Sequence, residues 1–295
     1  MGANLARAAL DHGHEVVGYD RGHATDELED SGLEAARSLE DLVGRLSPPR
    51  AVLIYVPHGP PTEQVCNALR GLLTGGDVVV DGGNSHWEDS RRRHSEFALL
   101  EMRFVDLGTS GGIHGARHGA CFMAGGDAMG YALVEPLLRD LAFDDRATVY
   151  LGEPGSGHFA KLIHNAIEFG MVQAIAEGVE MLERSEFALD LHAVFDNWAH
   201  GSVIRSWLVE LTRDALHENP DLDRLSTYVE DTGEVKWVLE WALARDIPSP
   251  VISDSQQALM AYRDLDWPAA KAVALLRHGF GGHPLHRTDE QLVRA

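Results

Sequence analysis

The first half of the chain alternates short apolar runs, rich in β-branched residues, with longer stretches of helical periodicity. This alternation is typical of βαβ units that build a parallel sheet with helices on its faces. Ligands of such sheets bind at the carboxyl ends of the strands. We predict strands at residues 15–19, 51–56, 77–80, 103–107, 121–124 and 148–151. Glycine or polar residues follow several of these strands, and they mark candidate binding loops at 18–21, 56–59, 81–85 and 108–112.

Strand patterns stop near residue 155, and longer helical segments follow. The interruption is the sequence GEPGSG at 152–157, where glycines and a proline break the pattern before the longest helix. We therefore predict an α/β domain in residues 1–154 and an all-α domain in residues 155–295. The predicted helices of the second domain are residues 156–184, 191–198, 202–216, 233–245 and 268–278.

The N-terminal residues carry half of a dinucleotide-binding pattern. In a Rossmann fold a strand, a G-x-G-x-x-G loop and a helix are followed by a second strand that ends in an acidic residue. Gly2 stands at the position of the third glycine of this loop. Asp20 stands at the acidic end of the strand predicted at 15–19, which corresponds to the second strand of the Rossmann fold. The first strand and two glycines are missing, so we expect a sheet without a central strand and weak cofactor binding. A start upstream of Met1 is the simpler explanation. Asp20 favours NAD over NADP because its carboxylate repels a 2′-phosphate, and the neighbouring Arg21 softens that preference. The alternative interpretation of Asp20 is an aspartate that only forms the turn after a strand.

The longest predicted helix carries four polar side chains on one face. Lys161, His164, Asn165 and Glu168 stand at positions i, i+3, i+4 and i+7, within an arc of about 100°. Their neighbours along the helix are apolar, so we expect a helix buried on all sides and a site at these groups rather than a solvated face. Burial lowers the pKa of a lysine, which then acts as a base, and raises the pKa of a glutamate, which then donates a proton. The pattern predicts Lys161 and Glu168 as a proton-transfer pair, with His164 and Asn165 orienting an alcohol.

Composition narrows the choice of partners and compartment. With 25 basic against 46 acidic side chains the formal net charge is −21, which repels nucleic acids and anionic membranes, so neither is an expected partner. An anionic substrate therefore needs a local cluster of cations. The chain has two cysteines, no apolar run long enough for a membrane and no secretion signal, so we expect a cytoplasmic protein. Its histidines lack metal-ligand spacing, and we predict no metal site.

Five motifs together resemble one known family, the decarboxylating 6-phosphogluconate dehydrogenases, and especially its shorter members. The resemblance extends over nearly the whole chain. It implies a Rossmann-like NAD(P)-binding domain and a helical domain for substrate binding and dimerisation. It also implies oxidation of 6-phosphogluconate at C3 with hydride transfer to NAD(P), then decarboxylation to ribulose 5-phosphate in the pentose phosphate pathway. The motifs are DGGNS at 81–85, GTSGGIHGARHG with FMAGG at 108–126, GSGHFAKLIHNAIEFG at 155–170, IRS at 204–206 and RHGFGGH at 277–283.

The resemblance implies a role for each residue that matches a family motif. Lys161 is expected to be the general base and Glu168 the general acid, in agreement with the helix pattern. Because the segment of Arg277 and His283 reaches the neighbouring subunit's site in this family, we expect a homodimer or a larger homo-oligomer. Expected cofactor contacts, with NAD preferred to NADP, are Gly2, Asp20, Arg21, Val56, Pro57 and Asn84. Expected substrate contacts are Asn84, Ser110, Gly111, Gly112, His164 and Asn165 for the carboxylate and hydroxyls, Lys236, Arg205 and Arg277 for the phosphate, and His283.

Three positions depart from the family pattern. Phe169 replaces a tyrosine whose hydroxyl reaches the phosphate, and Val238 replaces a threonine. Each change removes a hydroxyl from the expected phosphate contacts. His58 stands near the expected nicotinamide position, where a small residue is usual.

Two other functions stay open at this point. A β-hydroxyacid dehydrogenase of the 3-hydroxyisobutyrate type shares the pattern G-x-G-x-x-x-K-x-x-x-N, but it leaves His164, Glu168 and Arg205 without a use. Kinetics with both substrates would distinguish the two enzymes. A non-catalytic relative that lost nucleotide binding together with its first strand is the other alternative, and NAD affinity would test it.

Overall fold

The computed structural model describes residues 1–22, 25–219, 222, 225–262, 272, 275 and 276. Among these residues strands and helices alternate as far as β7, and the regular structure after it is helical. The strands are β1 Val17–Gly18, β2 Glu34–Ala35, β3 Ala51–Ile54, β4 Val78–Asp81, β5 Arg103–Ser110, β6 Cys121–Gly126 and β7 Thr148–Tyr150. The helices are α1 Gly2–Asp11, α2 Asp26–Glu29, α3 Leu39–Arg45, α4 Pro60–Leu72, α5 Trp87–Ala98, α6 Gly112–His118, α7 Ala128–Leu141, α8 Ser156–Glu183, α9 Leu191–Ala199, α10 Trp207–Glu218, α11 Glu234–Leu243 and α12 Pro250–Ala261.

The strands form two sheets rather than one. β1 and β2 pair in parallel, and the other five strands form a sheet in the order β3-β4-β5-β6-β7. The five-stranded sheet departs from the predicted parallel arrangement at one pair, because β5 and β6 are antiparallel. Only the short helix α6 connects them, and a parallel pair needs a crossover of about a dozen residues or more.

The five-stranded sheet has an apolar core on each face. Val78 and Val80 of β4 belong to one core cluster, and Val79 between them belongs to the other. All three side chains are fully buried. Burial on both faces explains why β4 is a continuous apolar run rather than an alternating one. The predicted fold class, an α/β Rossmann-like domain followed by helices, is confirmed.

Several predicted boundaries differ from the structure. Only Val17–Gly18 of the predicted strand 15–19 forms a strand, because its partner β2 is also only two residues long. The sequence pattern does not predict β2. Helix α10 begins at Trp207 and not at residue 202, because the Ser206 hydroxyl accepts the Val209 N–H at 3.3 Å and caps the helix there. The predicted helix 268–278 falls largely outside the described residues.

The chain divides into two compact units. The first is Met1–Glu168 with Glu234–Pro248, so it contains the sheet, the first turns of α8 and the whole of α11. The second is Phe169–Gly233 with Ser249–Ala295, and Phe195, Val209 and Leu216 form an apolar cluster within it. In the part of the chain that the structure describes, no helix has the length and apolar character needed to cross a membrane.

Candidate active site

A buried carboxylate holds the N-terminus of α8 against strand β5. Both oxygens of Asp106 accept backbone N–H groups, from Gly155 at 2.7 Å and from His158 at 2.9 Å. The N–H groups at a helix start have no partner within the helix, and a carboxylate there also complements the helix dipole. Asp106 thus fixes the first turn of α8, one turn before Lys161.

Glycines allow α8 to lie unusually close to the strands. A β-carbon on Gly157 would lie 2.5 Å from the carbonyl oxygen of Asp106 and closer still to that of Met123. A β-carbon on Gly108 would lie 2.5 Å from Cβ of Lys161. Only glycine fits at such distances. The GTSGG and GSGH motifs therefore form the packing contact that places Lys161 beside β5.

Four polar side chains of α8 and one of β5 form a connected cluster. Nζ of Lys161 lies 3.3 Å from Nδ1 of His164. The same ring nitrogen lies 3.2 Å from Oδ1 of Asn165 and 3.7 Å from Oε2 of Glu168. The other ring nitrogen, Nε2, lies 3.0 Å from Oγ of Ser110. The structure therefore brings together five of the predicted site residues, with the imidazole between the amine and the carboxylate.

Burial sets the protonation of the amine and the imidazole. Lys161 is only 9% exposed, and burial lowers the pKa of its ammonium, while the negative charges of Glu168 and Glu234 oppose that effect. The pKa of His164 is lowered as well, first by burial and then by the charge of Lys161. The neutral amine, which is the form that accepts a proton, is therefore more populated than in an exposed lysine.

The prediction that α8 is buried on all sides is wrong for this chain. Its buried residues lie between Gly157 and Ala166, where it packs on the sheet. Beyond them Ile167 is 53% and Val172 is 47% exposed, and the Glu168 side chain keeps 44% of its surface exposed. The lysine of the pair is therefore buried, whereas the glutamate is largely open to solvent.

Helix α11 contacts the loops that follow β3 and β4. Nδ2 of Asn84 donates a hydrogen bond to Oε1 of Glu234 at 2.7 Å. The Trp237 ring meets His58 and His86 in edge-on contacts, each with 5.1 Å between ring centroids. These contacts join α11 to the carboxyl edge of the sheet, where the sequence predicts the cofactor loops.

The predicted phosphate residues are distributed unevenly. Lys236 lies two residues after Glu234 on α11, in the first compact unit and partly exposed. Arg205 lies in the second unit, exposed, in the turn before α10. Arg277 and His283 lie outside the described residues. Val238 is buried at 4% exposure, so its methyl groups pack in the interior.

The predicted cofactor residues border the first strands and α1. Gly2 begins α1, and a β-carbon there would lie 3.2 Å from Cβ of Tyr55. Oδ1 of Asp20 accepts the N–H of Gly22 at 2.6 Å, which forms the turn that the alternative interpretation predicts. Arg21 reaches Gln64 of α4, with 3.4 Å between Nη2 and Oε1. Val56 and Pro57 directly follow β3.

The loop at Gly111 and Gly112, which is predicted to contact the substrate, has left-handed backbone, with φ of 117° and 61° at the start of α6. Sequence reasoning missed Glu234, because Asn84 is 150 residues away and an acidic residue in a first helical turn is common. It also missed Asp106 and Cys121. Within the described residues no group of three or more potential ligands could hold a metal ion, and the expected absence of a metal stays a prediction.

Comparisons with known proteins cover both parts of the chain. The family model for the NAD binding domain of 6-phosphogluconate dehydrogenase matches residues 1–152. The model for the 6-phosphogluconate dehydrogenase C-terminal domain matches residues 157–261 and 183–294. YqeC of Bacillus subtilis is 45% identical over 286 residues, which are 96% of this chain and 95% of that protein.

Two further relatives carry informative names. The NAD(+)-dependent, decarboxylating 6-phosphogluconate dehydrogenase of Haloferax volcanii is 37% identical over 98% of this chain and 97% of its own. The solved Plasmodium falciparum 6-phosphogluconate dehydrogenase matches with a TM-score of 0.82 and 25% identity over 99% of this chain. This chain spans 65% of the Plasmodium chain. That protein is described in complex with its cofactor NADP+ and with its substrate 6-phosphogluconate.

Proposed function

The chain belongs to the 6-phosphogluconate dehydrogenase family, and we propose that it oxidises 6-phosphogluconate with NAD and releases CO2 and ribulose 5-phosphate. The observation that carries this proposal is the connected path from Lys161 through His164 to Glu168 on one helix. It supplies a base and an acid within reach of one substrate. An alcohol oxidation followed by a decarboxylation needs one group that removes a proton and one that returns a proton.

Lys161 is the base in the oxidation. Its neutral amine takes the proton of the C3 hydroxyl while the hydrogen on C3 leaves with its electron pair. Bound NAD supplies the nicotinamide that accepts this hydride. Ser110 holds one ring nitrogen of His164 at 3.0 Å, which turns the other nitrogen towards the amine. The histidine thus orients the amine towards the reacting hydroxyl.

Glu168 is the acid in the decarboxylation. The C1–C2 bond of the 3-keto acid breaks, CO2 leaves, and its electron pair passes into an enol between C2 and C3. Lys161, now protonated, supplies the proton for the enol oxygen. Glu168 then protonates C2 as Lys161 takes the enol proton back, which gives the ketone of ribulose 5-phosphate. The exposure of Glu168 lets the carboxyl regain a proton from water.

The proposed cofactor site is the edge formed by α1 and the loop after β3, which carries the predicted contact residues. Oδ1 of Asp20 accepts the Gly22 N–H within the turn, and Oδ2 would accept a hydrogen bond from a ribose hydroxyl. Its charge repels a 2′-phosphate, and the neighbouring Arg21 contacts Gln64, which supports NAD as the preferred cofactor. Asp20→Ala should narrow the difference between the affinities for NAD and NADP, measured by titration calorimetry. An unchanged ratio would remove Asp20 from cofactor selection.

Phosphate binding and assembly complete the proposal. Lys236 and Arg205 of this chain, with Arg277 and His283, would bind the phosphate and neighbouring oxygens, which offsets the overall charge of −21.

A homodimer or larger homo-oligomer is supported by apolar residues of α8 such as Met171, 43% exposed in the single chain. Light scattering in solution would measure the mass. The cytoplasmic location stays a prediction from composition.

Turnover by wild type and Lys161→Arg tests the proposal. Wild type should form reduced nicotinamide, CO2 and ribulose 5-phosphate in equal amounts. The arginine variant should lose turnover, because a guanidinium stays protonated, and should keep part of its substrate affinity. The matched control, Arg184→Lys just after α8 on an exposed surface, should remain active. Full activity of Lys161→Arg would exclude Lys161 as the base.

Two other outcomes would replace the proposal. Faster turnover of 3-hydroxyisobutyrate than of 6-phosphogluconate would indicate the other β-hydroxyacid dehydrogenase. Failure to bind NAD at all would favour a non-catalytic relative.

A further inference from the structure

Glu234 is a buried carboxylate beside the proposed active site that no motif assigns to a function. It lies in the first turn of α11 and is 6% exposed. Its Oε1 accepts the hydrogen bond from Nδ2 of Asn84 at 2.7 Å, a short distance for a bond between an amide and a carboxylate. Its charge also acts on Lys161. Glu234 is therefore in contact with one expected substrate residue and electrostatically coupled to the base.

This contact selects one of two orientations of the Asn84 side chain. An amide presents a donor on one edge and an acceptor on the other, and a half-turn about its last bond exchanges them. An ionised carboxylate only accepts, so a turned amide would set two oxygens against each other. Nδ2 must then face Glu234, and Oδ1 must face away. Asn84 is exposed, so its remaining hydrogen-bonding groups are open to a ligand.

We propose that Glu234 is a positioning residue of the dehydrogenase, which acts through Asn84 by fixing the edge of the amide that the substrate and the nicotinamide meet. This inference rests on the proposed function, in which Asn84 contacts both. Without Glu234 the amide regains the freedom to rotate, and ligand binding must remove that freedom again. The expected loss in kcat/KM is about two- to tenfold, from the usual cost of immobilising one side chain.

The charge of Glu234 gives a second, independent readout. The groups that act on Lys161 are His164 and Glu168 on its own helix, Cys121 on β6 and Glu234 on α11. A negative charge favours the protonated amine, so its removal lowers the pKa of Lys161 further. Since the neutral amine is the active form, the acidic limb of the kcat/KM profile should move to lower pH.

A double-mutant cycle tests the role of Glu234. The variants are Asn84→Ala, Glu234→Ala and the double variant, and the measured quantity is kcat/KM for 6-phosphogluconate. If Glu234 acts through Asn84, the double variant should be no worse than Asn84→Ala alone. Glu234→Gln keeps the shape of the side chain and should still fold if the alanine variant does not. It should move the acidic limb to lower pH, whereas Glu240→Gln, on the exposed side of α11, should leave the limb and the rate unchanged.

Losses that add in the double variant would overturn the inference, and so would an acidic limb that Glu234→Gln does not move. Wild-type turnover is measured first. Its absence would refute the proposed function and the role of Glu234 with it. Normal wild-type turnover with additive losses would refute the role of Glu234 alone.

Discussion

Gly157 is the position at which the placement of helix α8 against the sheet can be tested most directly. Replacement by alanine adds a single methyl group. Its carbon would lie 2.5 Å from the Asp106 carbonyl oxygen, 2.8 Å from the Gly125 nitrogen and closest of all to the Met123 carbonyl oxygen. These are backbone atoms of the paired strands β5 and β6, so no side-chain rotation relieves the overlap. The helix itself has to move away from the sheet.

Two opposing contributions set the change in the free energy of unfolding. Alanine stabilises a helix over glycine by about 1 kcal/mol. Relief of the overlap requires a shift of roughly 1 Å towards normal contact distances, and such overpacking costs about 1–3 kcal/mol. The shift also lengthens the hydrogen bonds that the Gly155 and His158 N–H groups donate to the Asp106 carboxylate. Hydrogen bonds to charged groups contribute about 1.5–3 kcal/mol each to stability. We expect a net loss of about 2–4 kcal/mol.

Urea unfolding followed by circular dichroism measures this loss. The matched control is Gly178→Ala, later in α8, where a β-carbon meets nothing within 4 Å. It should stabilise the protein by about 0.5–1 kcal/mol, since only helix propensity changes. Equal stabilities of the two variants would refute the close contact of α8 with the strands. Where Gly157→Ala still folds, its kcat should fall, because Lys161 moves with the helix.

The remaining predictions concern the base, its neighbours and the core. Because burial lowers the pKa of Lys161 from 10.5 and the neutral amine is active, kcat/KM should rise with pH through a pKa below that value, and a flat profile would contradict this. Ser110→Ala removes the 3.0 Å contact with His164 together with an expected substrate contact, and should lower kcat/KM by about two- to tenfold in steady-state assays. Arg93→Met strips the buried Asp81 carboxylate of a partner at 3.2 Å and should cost about 3–5 kcal/mol in urea unfolding; a loss under 1 kcal/mol would argue against the pair.

The features that the sequence predicts well are local ones. The stripe of Lys161, His164, Asn165 and Glu168 follows from helix geometry alone, and the structure connects those side chains as the spacing predicts. The run Val78–Val80 is recognisable as a strand because burial on both faces leaves only apolar residues there. In both cases the order of residue types along a short segment is enough to identify the element.

The features that the sequence does not predict depend on distant partners. Asn84 and Glu234 meet across 150 residues, and nothing in the sequence around Glu234 marks it as the partner of Asn84. The antiparallel pairing of β6 depends on the length of one connection rather than on the strand itself. Helical periodicity likewise could not show that the sheet covers only the first turns of α8, which is why Glu168 was expected to be buried.

The opposition between burial and nearby carboxylates explains how one lysine can serve both halves of the proposed reaction. Burial alone favours the neutral amine, which would remove the first proton but would hold a proton poorly in the second step. Glu168 and Glu234 raise the pKa of Lys161 against that effect. A group that both accepts and returns a proton works best when its pKa lies near the working pH. The two acidic neighbours are therefore part of what makes the buried lysine a reversible proton carrier rather than a permanently neutral amine.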